Sequence, residues 1–248
     1  MKTLLLLTLA FTLQAQKADA PRPSKGKGGK SGTFEKETLK VGEQTRDFRI
    51  VVPSALDGSV PAPLVFVFHG LGDSKENICR YSGFEALAAK QHFIAVFPDA
   101  LNKRWAIQPS ADNEDIKFFD ALFDHVTTRY NVDLRRVYVS GMSMGGYFSN
   151  CVASQRSEKI AAIAPHSGGL GVLGFKGIQA KRKYPVMVVH GDADNVVKVE
   201  EGRKSKEVYT KEGHKVDYVE IPGLGHTWAF KENITDKMWK FFTENPLP

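Results

Sequence analysis

Six short, continuous apolar runs constrain the possible folds of this chain more than any other feature of its sequence. They are rich in Val, Ile and Phe and occupy residues 64–68, 93–97, 137–139, 160–164, 186–189 and 216–221. Such runs are typical of strands that are buried on both faces of a sheet. Segments with helical spacing alternate with them, at residues 76–90, 114–130, 145–155, 200–212 and 233–243. The alternation predicts an α/β domain, with helices on both faces of a mostly parallel sheet.

The residues before the first run indicate how the domain begins. Two stretches of alternating apolar and polar residues, 33–41 and 46–52, predict an antiparallel pair that turns at Gly42 and Glu43. We find no internal repeat and no second change of composition, so residues 34–248 are expected to form one domain. Residues 21–33 are basic and lack large apolar side chains, which predicts a flexible linker.

The first twenty residues have the pattern of a secretory signal peptide. Lys2 precedes an apolar run at residues 4–13, which is too short for a transmembrane helix because a bilayer requires about 20 apolar residues. Cleavage is expected after Ala15 or Ala20. The sequence therefore predicts a secreted or periplasmic protein without a membrane span.

The positive charge of the chain is concentrated near this end. The formal net charge is +6, of which residues 1–30 contribute +5, so the predicted domain is nearly neutral. A nucleic-acid-binding domain would need a basic face, so we expect no nucleic acid partner. Cys79 and Cys151 are too few for a disulfide scaffold. Because the predicted helices place them on opposite faces of the sheet, we expect unpaired thiols.

A G-x-S-x-G motif, Gly141-Met-Ser143-Met-Gly145, lies between the apolar run 137–139 and a helical segment. A sharp strand-to-helix turn strains the backbone of such a serine, and only glycine leaves enough space two residues to either side. The serine hydroxyl then projects at the carboxyl edge of the sheet. Ser143 is therefore the candidate nucleophile.

A serine hydroxyl is an effective nucleophile only when a base accepts its proton. Enzymes built on this turn carry the acid, and then the histidine, on loops after later strands. Asp194 and His226 each follow a later apolar run, in that order. Asp192 is the alternative acid, although a residue directly after the preceding His-Gly turn more often caps that turn. The predicted catalytic residues are Ser143, Asp194 and His226.

Two backbone N–H groups are needed to stabilise an oxyanion, and each is worth roughly 3 kcal/mol. We expect one from Met144, directly after the serine. The other is expected from Leu71, which follows the run 64–68 and lies between Gly70 and Gly72. These glycines allow the backbone to approach a substrate closely.

Together, these motifs resemble those of secreted esterases related to polyhydroxybutyrate depolymerases and feruloyl esterases, a group that includes members of the first carbohydrate-esterase family. The resemblance covers roughly residues 45–240. It rests on residues 115–118 and 130–146 and on Phe97-Pro98-Asp99, His190-Gly-Asp-Ala-Asp194 and Gly225-His226-Thr-Trp228. Two positions depart from the usual pattern, with Met144 in place of Asn and Ala229 in place of Pro. The resemblance implies an α/β-hydrolase fold and no cofactor or metal, and the short connection at 168–184 leaves no room for a large lid domain.

The resemblance also implies a serine esterase that works through an acyl-enzyme on feruloyl or acetyl esters of plant polysaccharide. Trp228 and Trp105 are expected to bind substrate, and we expect a monomer. A polyester depolymerase, a generic short-chain carboxylesterase and an inactive carbohydrate-binding relative are alternatives. A serine peptidase of similar fold usually carries an additional gating domain, for which this sequence has no room. A metal site at His190, Asp192 and Asp194 would lack further ligands.

Overall fold

The computed structural model describes residues 20–248. Eight strands form one open sheet in the order β1-β2-β4-β3-β5-β6-β7-β8. Their bounds are β1 Gly32–Val41, β2 Gln44–Val52, β3 Ala62–Phe68, β4 Ile94–Pro98, β5 Val132–Met142, β6 Ala162–His166, β7 Val186–Gly191 and β8 Val216–Ile221. β2 is antiparallel to both β1 and β4, and all other neighbouring strands are parallel. The predicted α/β-hydrolase architecture is confirmed.

Seven α-helices lie in the described part of the chain: α1 Lys75–Ser82, α2 Phe84–Gln91, α3 Glu114–Arg129, α4 Met144–Gln155, α5 Leu173–Lys176, α6 Val199–Lys211 and α7 Ile234–Thr243. The single helix predicted over residues 76–90 is two helices. Gly83 separates them, because its φ of 73° is left-handed and ends α1 where α2 begins. Between β6 and β7 the chain forms only the one-turn helix α5, so this connection carries no large lid. None of the helices in residues 20–248 combines the length and apolar character needed to span a bilayer.

The core has two layers because the sheet is covered on both faces. Every residue of β3 is buried. Leu64 and Phe66 pack into the hydrophobic cluster on one face, and Val65 and Val67 pack into the cluster on the other. This burial on both faces explains why the strand is apolar throughout its length.

The two cysteines lie in these different layers. Cys79 packs in one cluster and Cys151 in the other, and both thiols are free. The prediction of unpaired thiols is confirmed. Burial raises the pKa of each thiol to about 12, so both remain protonated at neutral pH.

The N-terminal residues differ from the predicted flexible linker. The predicted signal peptide, residues 1–20 with cleavage after Ala15 or Ala20, lies outside the described residues apart from Ala20. Within the predicted linker at 21–33, the Ser24 N–H donates to the Val132 carbonyl at 2.8 Å, and the Leu134 N–H donates to the Arg22 carbonyl at 2.8 Å. Backbone hydrogen bonds hold this segment on β5, whereas the prediction weighed only its lack of apolar side chains.

Candidate active site

Ser143 lies at the turn between β5 and α4, with φ 56° and ψ −119°. This backbone conformation is strained for a residue with a Cβ atom. The Ser143 N–H donates to the His166 carbonyl at 2.9 Å, which ties the turn to the end of β6. Both motif glycines are required: a Cβ at Gly145 would collide with the Phe68 carbonyl oxygen, and one at Gly141 would collide with the Gly145 carbonyl oxygen. The predicted spatial reason for the glycines therefore holds.

Asp194 and His226 are brought together by the loops after β7 and β8. His226 Nδ1 lies 2.7 Å from Asp194 Oδ2. Asp194 Oδ1 accepts the N–H groups of Val196 and Val197, each at 2.9 Å. Burial would raise the pKa of Asp194, but the hydrogen bonds from His226 and the two amides outweigh it and lower the pKa below its ordinary value. Asp194 is therefore a buried, ionised partner for the imidazole.

The alternative acid, Asp192, has a different role. Its Oδ1 accepts the Gly223 N–H at 2.7 Å, so it caps the turn after β8 and does not contact His226. His190, the third residue of the alternative metal site, instead lies 2.8 Å through Nε2 from the Val197 carbonyl. Within residues 20–248 no three His, Cys, Asp or Glu side chains are grouped as metal ligands.

Ser143 and His226 line the same cleft, which has a volume of about 430 Å³. The nucleophile and base candidates therefore face one space that a substrate can enter. The cleft also exposes two aromatic rings and part of the loop after β3. Its lining is Gly70, Leu71, Gly72, Asp73, Tyr81, Met142, Ser143, His226, Thr227 and Trp228.

The loop after β3 leaves the Leu71 N–H without a protein acceptor at the cleft. The Gly72 N–H donates to the Lys103 carbonyl at 2.9 Å, and the Asp73 N–H donates to the Gly70 carbonyl at 3.2 Å. The N–H groups of Leu71 and Met144 find no acceptor anywhere in the described residues. A Cβ at Gly70 would lie 3.5 Å from the Ser143 Cβ, so the loop runs close to the serine. The two amides are suited to receive an oxyanion.

A buried histidine follows β3 and holds this loop. His69 is fully buried; its Nδ1 lies 2.7 Å from the Gly70 carbonyl, and its Nε2 accepts the Ala100 N–H at 3.0 Å. Because Nε2 accepts a hydrogen bond, the proton is on Nδ1 and is donated to Gly70. Burial lowers the pKa of His69 and favours this neutral form.

Two more buried histidines, His166 on β6 and His190 on β7, hold the loops of the candidate base and the candidate acid. His166 Nε2 accepts the Ala229 N–H at 3.1 Å. Burial, followed by repulsion from His190 and His226, lowers the pKa of His166 to about 3. The sequence patterns assigned no role in the candidate site to His69 or His166, and they considered His190 only for the alternative metal site. Their common position at the carboxyl ends of parallel strands was the available signal.

The two predicted substrate-binding tryptophans differ in position. Trp228 lines the cleft, although only 5% of it is exposed, because its indole stacks on His166 and its Nε1 donates to Thr235 Oγ1 at 3.0 Å. Trp105 is 2% exposed, stacks on Phe148 and donates to the His69 carbonyl at 2.9 Å. The prediction that Trp105 contacts substrate is wrong, since core packing encloses its ring below the loop after β3.

Comparison with known proteins now identifies the family of this chain. Residues 55–241 match the dienelactone hydrolase family. The chain belongs to that family. Feruloyl esterase D of Neurospora crassa is 30% identical over 220 residues, which cover 84% of this chain and 74% of that protein. A bifunctional acetylxylan esterase/xylanase of Neocallimastix patriciarum is 34% identical over 154 residues, which cover 61% of this chain and 22% of that protein.

Solved structures of this fold include esterases of similar size. A CE1 ferulic acid esterase from Anaeromyces mucronatus, determined with ferulic acid, has a TM-score of 0.65 and 18% identity, over 91% of this chain and 96% of that one. An acetyl xylan esterase from Aspergillus awamori has a TM-score of 0.69 and 14% identity, over 84% of this chain and 100% of that one. The predicted resemblance to feruloyl esterases is confirmed. This member of the dienelactone hydrolase family is a carboxylic ester hydrolase.

Proposed function

We propose that the chain is a serine esterase in which Ser143 is the nucleophile, His226 the general base and Asp194 the acid that orients the base. The observation that carries this proposal is the 2.7 Å contact of His226 Nδ1 with Asp194, in a cleft that Ser143 also lines. An ionised Asp194 keeps the imidazole proton on Nδ1, so Nε2 is free to accept a proton. It also stabilises the imidazolium that forms during the reaction.

In the first half-reaction the Ser143 oxygen attacks the ester carbonyl carbon while its proton passes to His226 Nε2. The N–H groups of Leu71 and Met144 hydrogen-bond to the resulting oxyanion. His226 then gives the proton to the leaving alcohol as the ester C–O bond breaks, and an acyl-enzyme remains. In the second half-reaction water loses a proton to His226 and attacks the acyl carbon. The carboxylic acid leaves and the Ser143 hydroxyl is restored.

Covalent labelling tests this mechanism. A fluorophosphonate probe is expected to modify the peptide that contains Ser143, and Ser143→Ala is expected to lower the turnover of p-nitrophenyl acetate by several orders of magnitude. Ser110→Ala is the matched control, because Ser110 is exposed in a loop and is not part of the cleft. Labelling at another residue, or near-normal turnover by Ser143→Ala, would contradict the proposed nucleophile.

The proposed substrates are feruloyl or acetyl esters of plant polysaccharide. The names of the relatives support this class, as do the rings of Tyr81 and Trp228 beside Ser143, since stacking on a ring contributes on the order of 1 kcal/mol. The test compares kcat/KM on methyl ferulate, acetylated xylan, p-nitrophenyl butyrate and amorphous polyhydroxybutyrate. Strong polyester hydrolysis with negligible activity on the first two would favour the depolymerase alternative and leave the nucleophile unchanged.

The proposal includes export, because polysaccharide esters of this kind are met outside the cell. The apolar run at residues 4–13 supports it as a signal sequence. N-terminal sequencing of the secreted or periplasmic protein should begin at Gln16 or Pro21. A cytoplasmic product that retains Met1 or Lys2 would contradict export.

A further inference from the structure

A second cavity, of about 200 Å³, lies where α4, α5 and α6 meet, and it shares no lining residue with the catalytic cleft. Phe175 lines it and is 83% exposed, more than any other large hydrophobic residue among those described. A single exposed ring needs no explanation by itself. The polar groups around this ring give the cavity a definite chemistry.

Three of the polar side chains that line the cavity carry the argument. Lys204 Nζ lies 3.8 Å from the Phe175 ring centroid, and Glu201 and Tyr147 line the same space. Burial and the contact with Glu201 raise the pKa of Tyr147 to about 12, so its hydroxyl stays protonated at neutral pH. The cavity therefore offers an aromatic face together with hydrogen-bond donors and an acceptor. A sugar ring has the matching features, because its C–H face is apolar and its hydroxyls both donate and accept.

Tyr147 connects this cavity to the nucleophile. Its N–H donates to the Ser143 carbonyl at 3.1 Å, so it lies one helical turn, about 6 Å, from Ser143 along α4. After β6 the chain passes equally close: a Cβ at Gly168 would lie 2.9 Å from the Ser143 carbonyl oxygen, and one at Gly169 would collide with the Glu201 carboxylate. The cavity therefore lies beside the backbone of the turn that carries Ser143.

We propose that this cavity binds the sugar that carries the ester, with Phe175 as the stacking surface and Glu201 and Lys204 as partners of the sugar hydroxyls. An ester at Ser143 extends in two directions from its carbonyl carbon. In this proposal the cleft with Tyr81 and Trp228 receives the acyl group, and the alcohol part extends toward α5 and α6. This inference rests on the proposed function and assigns the alcohol part of its substrate.

The test compares two esters of the same acyl group that differ only in the alcohol. Methyl ferulate is paired with a feruloylated arabinoxylo-oligosaccharide, or methyl acetate with an acetylated xylo-oligosaccharide if acetate is the faster acyl group. Phe175→Ala is expected to lower kcat/KM about fivefold to tenfold on the sugar ester and less than twofold on the methyl ester. Phe175→Trp retains an aromatic face and should keep the preference for the sugar ester.

Phe230→Ala is the matched control. Phe230 is another exposed phenylalanine, at 66% exposure, and it borders a separate hollow at α2. This variant should leave both esters unaffected. Equal loss on the two esters in Phe175→Ala, or no loss on either, would overturn the sugar site while the esterase assignment stands. If the wild-type protein hydrolysed neither the two methyl esters nor the two oligosaccharide esters, the proposed function would be overturned, and the sugar site with it.

Discussion

Replacing Ser143 with glycine is expected to give a more stable protein than replacing it with alanine, while both replacements abolish the activity. At φ 56° and ψ −119° a residue with a Cβ atom carries a strain of about 1–3 kcal/mol. Alanine retains the Cβ and the strain, whereas glycine removes both. Glycine also makes the unfolded chain more flexible, which costs about 0.5–1 kcal/mol. Ser143→Gly should therefore exceed Ser143→Ala by about 1 kcal/mol in free energy of unfolding, or roughly 3 °C in Tm for a chain of this size.

Urea-induced unfolding followed by tryptophan fluorescence measures this difference. Both variants lack the hydroxyl, so its own hydrogen bonds cancel in the comparison. The same pair of substitutions at Ser154 is the control, because Ser154 lies in α4, the helix that Ser143 precedes, and is not among the residues with positive φ. There glycine should be less stable than alanine, by about 1 kcal/mol. If the glycine variant were less stable than the alanine variant at Ser143, as is expected at Ser154, the Ser143 backbone would not be strained.

Three further predictions concern the acid, the buried imidazole and the thiols. Asp194→Asn should lower kcat on p-nitrophenyl acetate by about 10⁴-fold, while Asp192→Asn stays within a few-fold; the reverse order would exchange their roles. Because the pKa of His166 is about 3 in the folded protein and near 6.5 when unfolded, stability should fall as pH drops from 6.5 toward 3, by up to about 1.4 kcal/mol per pH unit from this group. His166→Gln keeps an acceptor for the backbone and should flatten the slope of urea midpoints against pH, whereas the exposed control His92→Gln should not. Both buried thiols should react with Ellman's reagent at pH 8 only after unfolding, and rapid labelling of the native protein would contradict their burial.

The strands were predictable from sequence where burial on both faces requires continuous apolar residues. The run 137–139 marks only part of β5, which extends over Val132–Met142. The part that was not predicted contains Asp133, Arg135 and Arg136. Because these residues are charged, a search for continuous apolar residues does not detect this part of the strand. Arg136 Nε forms an ion pair with Asp133 Oδ2 at 2.6 Å. The Arg135 Nε donates a hydrogen bond to the Leu247 carbonyl. Such pairing allows charged residues in a strand, but it depends on partners that the local pattern does not contain.

The tryptophans show a similar limit within the candidate site. Both follow polar loop segments near the carboxyl edge of the sheet, so the local sequence does not distinguish a ring that lines the cleft from one below it. The difference arises from tertiary contacts. Trp105 stacks on Phe148 of α4 and donates to the His69 carbonyl. Trp228 stacks on His166 and also lines the cleft. In both cases the indole N–H is satisfied inside the protein, as a buried indole requires.

The motif around Ser143 was recognisable because its constraint is local, whereas the relative placement of the three proposed catalytic groups is not. His166 connects two of them through two different atoms. Its carbonyl accepts the Ser143 N–H, and its ring accepts the N–H of Ala229, three residues after His226. A single residue at the end of β6 thus fixes both the strained turn and the loop of the base. Protonation of the ring would remove the acceptor on Nε2 and release Ala229, so the neutral form that burial favours is also the form that holds His226 in place.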